Sequence, residues 1–225
     1  MASHLDLEEQ EQLDQLKAFW KRWGNLITWS LTLVLAAYAA WTGWGLWQRD
    51  QAVKAAAMYD ELDRAVQAAD ADKAGSVFAD LKERFPRTSY AAQAALQAAK
   101  LQHDKGQLDK ANASLGWAAE NAAEEAYRDI ARLRLAGLQI DAKQYEAAGK
   151  SLDAVKSADF TALVADRRGD LLLLQAKPDL ARAEYQKAFA AMDSKLEYRR
   201  LIEAKLNTLG VAPVDAAASA AGAAK

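Results

Sequence analysis

Hydrophobic and polar positions divide the chain into regions of different character. From Trp23 to Gln48 no residue carries a charge, and the apolar core of that stretch, Leu26 to Trp47, is 22 residues long. At about 1.5 Å per residue a helix of that length covers about 33 Å, enough for a bilayer core of about 30 Å. Six of the seven tryptophans lie in or beside it: Trp20, Trp23, Trp29, Trp41, Trp44 and Trp47. They gather toward its ends, where an amphipathic ring sits at headgroup level. The pattern predicts a single membrane-spanning helix over residues 23–48, with Trp20, Trp23, Trp44 and Trp47 as interface anchors.

From Val53 onward the apolar positions take a helical period interrupted by short breaks. Ala55, Tyr59, Leu62 and Val66 share one helix face; Val77, Phe78, Leu81 and Phe85 share another. Pro86 disfavours helix at the residue before it, and Thr88 or Ser89 can cap the helix that follows. Further breaks fall near Gly106, Lys143 and Pro178, and no segment sustains the period-two alternation of strands. The expectation is nine short helices after the anchor.

Those helices repeat. Four second helices carry a small residue, a larger apolar one four later, and a third member three further on. They are Ala74/Phe78/Leu81, Ala111/Leu115/Ala118, Ala148/Leu152/Val155 and Ala181/Tyr185/Ala188. The first members are 37, 37 and 33 residues apart, and a tetratricopeptide repeat has a period of about 34. Gly106-x-Leu108, Lys143-x-Tyr145 and Ala176-x-Pro178 precede the small residue at one spacing, and Gly169 supplies a small residue on the first helix of the last pair. A small side chain lets two helices approach closely, and the larger one fills the hole between them. The predicted fold is all-α: a transmembrane helix, then a tetratricopeptide-like solenoid of about four helix pairs over residues 51–209. A plain helical bundle is the alternative. A helix from Lys195 to Leu209 is expected to cap the open end with its charges, Lys205 included, on a polar outer face. Residues 210–225, mostly Ala with Ser and Gly, read as a disordered tail.

Composition narrows the function. A net charge of −2 implies no broad basic surface for nucleic acid. Cysteine is absent, so disulfides and thiolate metal sites are ruled out. The two histidines, His4 and His103, are far apart, and no H-E-x-x-H, P-loop or G-x-S-x-G motif occurs. No cofactor, metal or catalytic residue is therefore expected. Glu124 and Arg128 read as an i, i+4 ion pair, Asp166 and Asp170 as two solvated carboxylates. Arg167 and Arg168 read as surface or inter-helix contacts. Such arrays bind peptides on the face lined by each repeat's first helix, and the register from Ala99 and Gly169 places Gln93, Lys100, His103, Asp166 and Asp170 there as a candidate partner-binding groove.

A cleavable signal is the competing reading of the apolar stretch, because Ala37-Tyr38-Ala39 has a small-x-small pattern. Against it, the preceding segment, residues 1–22, is long and acidic, and the apolar run continues to Trp47. Lys17, Lys21 and Arg22 precede the span, which predicts a cytoplasmic N-terminus and an exported domain. Leu13, Leu16 and Trp20 form only a short stripe on the tail, so an acidic extension without a specific partner is favoured over an interfacial or docking helix.

The layout from Leu7 to Leu209 resembles the ancillary SecYEG translocon subunit (YfgM-like) family. The resemblance is carried by Leu16-Lys17-Ala18-Phe19-Trp20 and by Gly43-Trp44-Gly45-Leu46-Trp47 closing the span. Leu133-Arg134-Leu135-Ala136 and Lys143-Gln144 follow in the repeats. Val164-Ala165-Asp166-Arg167-Arg168-Gly169-Asp170 is the fullest block, leading to Ala181-Arg182-Ala183 and Lys205-Leu206-Asn207-Thr208-Leu209. It implies a single-pass bacterial inner-membrane protein with a periplasmic repeat domain, partnered by the Sec translocon and a PpiD-type periplasmic folding factor. The implied role is a non-enzymatic adaptor passing translocated polypeptides to periplasmic chaperones. A scaffold for another envelope assembly, such as cell division or cytochrome maturation, is the alternative.

Overall fold

The computed structural model describes residues 7–212, so the expected tail lies outside the described residues from position 213 onward. Its elements are α1 (Leu7–Gln67), α2 (Ala71–Arg84), α3 (Ser89–Asp104), α4 (Leu108–Asn121), α5 (Glu125–Asp141) and α6 (Tyr145–Asp153). A 3-10 turn at Ala158–Phe160 leads into α7 (Thr161–Leu174), α8 (Pro178–Ala191) and α9 (Tyr198–Thr208). The described residues contain no strand. The chain divides into two compact units, Met1–Gln51 and Ala52–Lys225. Sequence periodicity predicted a separate first helix after the anchor, whereas α1 is continuous from Leu7 to Gln67. Residues 46–57 contain neither Gly nor Pro and are rich in good helix formers, so nothing local stops the helix.

In the first unit, α1 is the one helix of the described residues long and apolar enough to cross a membrane, and none of its apolar window is buried by protein. Leu33 and Trp41 are 73% and 80% exposed. That surface is costly in water and neutral in lipid. The hydroxyls of Thr28, Thr32 and Thr42 donate to the carbonyls of Gly24, Thr28 and Tyr38 at 2.8, 2.8 and 2.9 Å. Each of these three hydroxyls is thus satisfied within its own helix, as a hydrocarbon surrounding demands. At the C-terminal end of the apolar stretch the Trp44 and Trp47 rings lie 5.1 Å apart. Toward the other end the Trp20 ring covers Gly24 so closely that a Cβ there would meet it at 3.1 Å.

The second unit is a stack of four helix pairs: the last turns of α1 with α2, then α3 with α4, α5 with α6, and α7 with α8. The helix α9 follows as the cap. The small residues Ala74, Ala111, Ala148 and Ala181 are all fully buried, and so, within a few per cent, are Phe78, Leu115, Leu152 and Tyr185 four positions on. Thr88 caps α3 by accepting from the Ala91 amide, and Pro178 opens α8, where a missing amide hydrogen costs nothing.

Each first helix also ends in the same way. The amides of Ala69, Gly106, Lys143 and Ala176 donate to carbonyls three residues back, and the next amide to one five back, the paired bonds of a Schellman stop. Those four residues have φ of 53°, 74°, 59° and 59°. They are spaced like the small residues of the second helices. Only Gly106 adopts this left-handed conformation freely; the other three hold it at a cost of about 1 kcal/mol each. A polar pair repeats as well: Ser114 donates to Gln102 at 2.9 Å, and Ser151 to Gln139 at 2.8 Å, 37 positions later.

Further details depart from the sequence expectation: α6 stops at Asp153, so Val155 lies just beyond the helix it was expected to close. The cap α9 begins at Tyr198, because Asp193 takes the Lys195 amide through its side chain and the Leu196 amide through its carbonyl, making a turn of those residues. Arg128 pairs with Glu125 at 2.6 Å, not with Glu124, whose carboxylate accepts from Ser89 at the start of α3. Another feature was not anticipated. Asp129, fully buried, accepts from the amides of Lys156 and Ser157 and from Arg132, stitching the turn before α7 onto α5.

Two predictions follow from this geometry. A Cβ at Gly169 would lie 2.5 Å from the Tyr185 ring, whereas one at Gly116 in α4 meets nothing within 4 Å. Helix propensity favours Ala by about 1 kcal/mol at both sites, so the clash decides the sign. Gly116→Ala should stabilise by about 1 kcal/mol, and Gly169→Ala should destabilise by about 2 kcal/mol, both read from urea midpoints. Lys143→Gly and Ala176→Gly should each gain about 1 kcal/mol in the same assay by relieving left-handed strain.

Candidate functional site: a groove between the first helices

The first helices α3, α5 and α7 line a groove of about 810 Å³. Successive helices carry Leu96, Leu133 and Leu163 to it, and Leu173 and Leu174 lie open at one edge, 42% and 56% exposed. Gly137 and Tyr198 of α9 join the lining. Charged groups border the apolar surface: Lys100 and His103 on α3, Arg134 and Asp141 on α5, Arg167 and Asp170 on α7.

The sequence-derived residues take different places. Lys100, His103 and Asp170 line the groove. Lys100 is held by Asp104 at 2.9 Å, with the His103 ring nitrogen 3.6 Å from the same carboxylate. Gln93, half-buried on α3, is not among the lining residues. Asp166 is fully buried, not solvated as its i, i+4 spacing to Asp170 suggested.

That burial has a specific cause. Lys205 of α9, expected on an outer face, turns inward and its ammonium donates to Asp166 and Asp170 at 2.7 Å each. Tyr198 donates to the other oxygen of Asp166 at 2.8 Å, and Tyr185 donates to Asp170 at 2.7 Å. Two carboxylates one helical turn apart would repel; a cation and two phenols between them make the arrangement stable. Burial, then the hydrogen bond to Asp166, pushes the Tyr198 hydroxyl up to about 12. The same two causes, with Asp170 as acceptor, raise Tyr185 as well. Both phenols therefore remain protonated donors at ordinary pH. The cluster fixes α9 against α7 and α8, and so places Tyr198 in the groove wall. Sequence spacing could not reveal it, since Lys205 lies 39 residues from Asp166.

Among the described residues no group of three or more His, Cys, Asp or Glu side chains is placed to hold a metal ion.

Comparison with known proteins agrees with this architecture. The family model described as a tetratricopeptide repeat-like domain matches residues 17–211. A protein of Neisseria gonorrhoeae named ancillary SecYEG translocon subunit is 30% identical over 213 residues, covering 93% of this chain and all of the relative. The chain belongs to the ancillary SecYEG translocon subunit family. Further members bearing that name are 31% identical in Escherichia coli and 29% identical in Haemophilus influenzae. Each alignment covers 90% of this chain, with 97% and 98% of the respective relatives. No solved structure matches the chain. Family membership and the exposed apolar helix together make this a membrane-anchored protein.

The inward lysine is open to test. Lys205→Met leaves Asp166 buried without its cation, and should cost about 3 kcal/mol in stability. Urea unfolding of the purified protein in mild detergent measures the loss.

Proposed function

We propose that this chain is a non-enzymatic, membrane-tethered adaptor at the Sec protein-export channel. The observation that carries the reading is its similarity, over nine-tenths of its length, to relatives named ancillary SecYEG translocon subunits. The N-terminus lies in the cytoplasm, consistent with Lys17, Lys21 and Arg22 just before the span. Residues 51–209 form the periplasmic domain, and residues 23–48 the inner-membrane anchor, with Trp20, Trp23, Trp44 and Trp47 at the interfaces. The groove bordered by Lys100, His103 and Asp170 receives a translocated polypeptide or a partner chain and passes it toward periplasmic chaperones. A PpiD-type folding factor is the proposed companion at the channel.

Tethering makes this physically reasonable. A domain anchored in the membrane beside the channel meets emerging chains at an effective concentration of about millimolar. A shallow, leucine-lined groove of modest affinity is then sufficient, and modest affinity allows release.

Mild-detergent purification of the full-length protein from native membranes, after cross-linking, tests the role. Translocon subunits and a periplasmic folding factor should be recovered. Deleting residues 1–50 should leave a folded, soluble domain by circular dichroism and abolish recovery of the translocon. Reproducible recovery of another envelope complex in its place would overturn the export role, and undiminished recovery after the deletion would overturn the role of the anchor.

A further inference from the structure

Two exposed guanidinium groups in the groove make only long contacts within the fold. Arg134 on α5 and Arg167 on α7 are 33 residues apart, the same step that separates Ala148 from Ala181. They therefore hold equivalent positions on consecutive first helices, and both line the groove. Elsewhere in the domain Arg128, Arg132, Arg168 and Arg182 each reach a carboxylate at 2.5 to 2.9 Å. Arg134 instead has a single 3.4 Å contact to the Leu96 carbonyl. Arg167 meets Asp170 only at 3.4 Å, and the other oxygen of that carboxylate already accepts from Lys205 and Tyr185. Most of the ten N–H donors that two guanidiniums carry are thus uncommitted, beside a surface of Leu96, Leu133 and Leu163.

We infer that the groove selects a polypeptide segment in which a carboxylate is flanked by leucine-sized side chains, the carboxylate being received by Arg134 and Arg167. This rests on the adaptor reading above and adds the chemistry of the segment. Charge complementarity carries the choice. A planar guanidinium matches a carboxylate through two parallel hydrogen bonds, and apolar surroundings strengthen such a bond. A purely apolar segment would leave both cations partly desolvated with nothing gained.

The test uses the full-length protein in mild detergent and fluorescence anisotropy. The probes are two fluorescein-labelled twelve-residue peptides of leucine and serine, one with two central aspartates and the other with asparagines in their place. The aspartate peptide should bind about tenfold more tightly, the usual worth of a charge-assisted hydrogen bond. The preference should shrink with added salt. The double variant Arg134→Gln, Arg167→Gln should lose the preference, and the double variant to Lys should keep part of it. Equal binding of the two peptides by the unaltered protein would overturn the inference and leave the groove reading in place. A preference that survives the double Gln variant would overturn the assignment to these arginines. Binding of neither peptide would overturn both the inference and the polypeptide-receiving groove. Comparing two peptides on the unaltered protein keeps the question answerable if a variant misfolds.

Discussion

Close approach of paired helices at one small residue per repeat is the constraint from which the rest of the soluble unit follows. Where Ala74, Ala111, Ala148 and Ala181 meet their partner helices there is no room for a longer side chain, and each is wholly buried. Phe78, Leu115, Leu152 and Tyr185 fill the space one turn later. The tightest instance is Gly169 against the Tyr185 ring, where even a methyl group would collide. Fixing that distance fixes the crossing of each pair, and stacked pairs then leave α3, α5 and α7 side by side. The groove is a consequence of this spacing, because side chains that look away from the second helices have no further layer to bury them.

No single pair in this stack could stand alone. The buried clusters draw on neighbours: Val77 and Phe78 of α2 lie in one core with Ala94, Ala95 and Leu115 of the next pair, and Phe78 meets Trp117 edge-on at 5.4 Å. An array built this way has an exposed end, and its last pair needs cover. Here the cover is more than apolar. Ile202 and Leu206 of α9 bury fully against the last pair, and Lys205 between them carries a charge to Asp166 and Asp170. A buried ion cluster contributes little net stability compared with packed hydrocarbon, but losing one partner is expensive. The same atoms thus fix the register of the cap and shape the groove wall through Tyr198. The first unit obeys the opposite rule, since its large side chains face outward and its threonines turn inward to their own backbone.

Local chemistry in the sequence determined the elements and their repetition. A charge-free run of that length fits a span, because it is long enough to cross the hydrocarbon and carries no charge into it. The recurrence of a small residue followed by a large one exposed the helix pairs, because packing distance leaves a direct imprint on side-chain size. Thr88 and Pro178 marked their helix starts for equally local reasons. Tertiary structure alone decided the charged groups. Whether Asp166 was solvated, whether Lys205 faced outward, and which glutamate took Arg128 depended on neighbours 39 residues away or on a competing donor such as Ser89. The continuity of α1 past the anchor and the part of Asp129 in holding a distant turn were equally invisible. Hydrophobic burial depends on a pattern along one helix, which a sequence displays. A buried charge depends on where three or four chain segments converge, and only the folded chain brings those segments together.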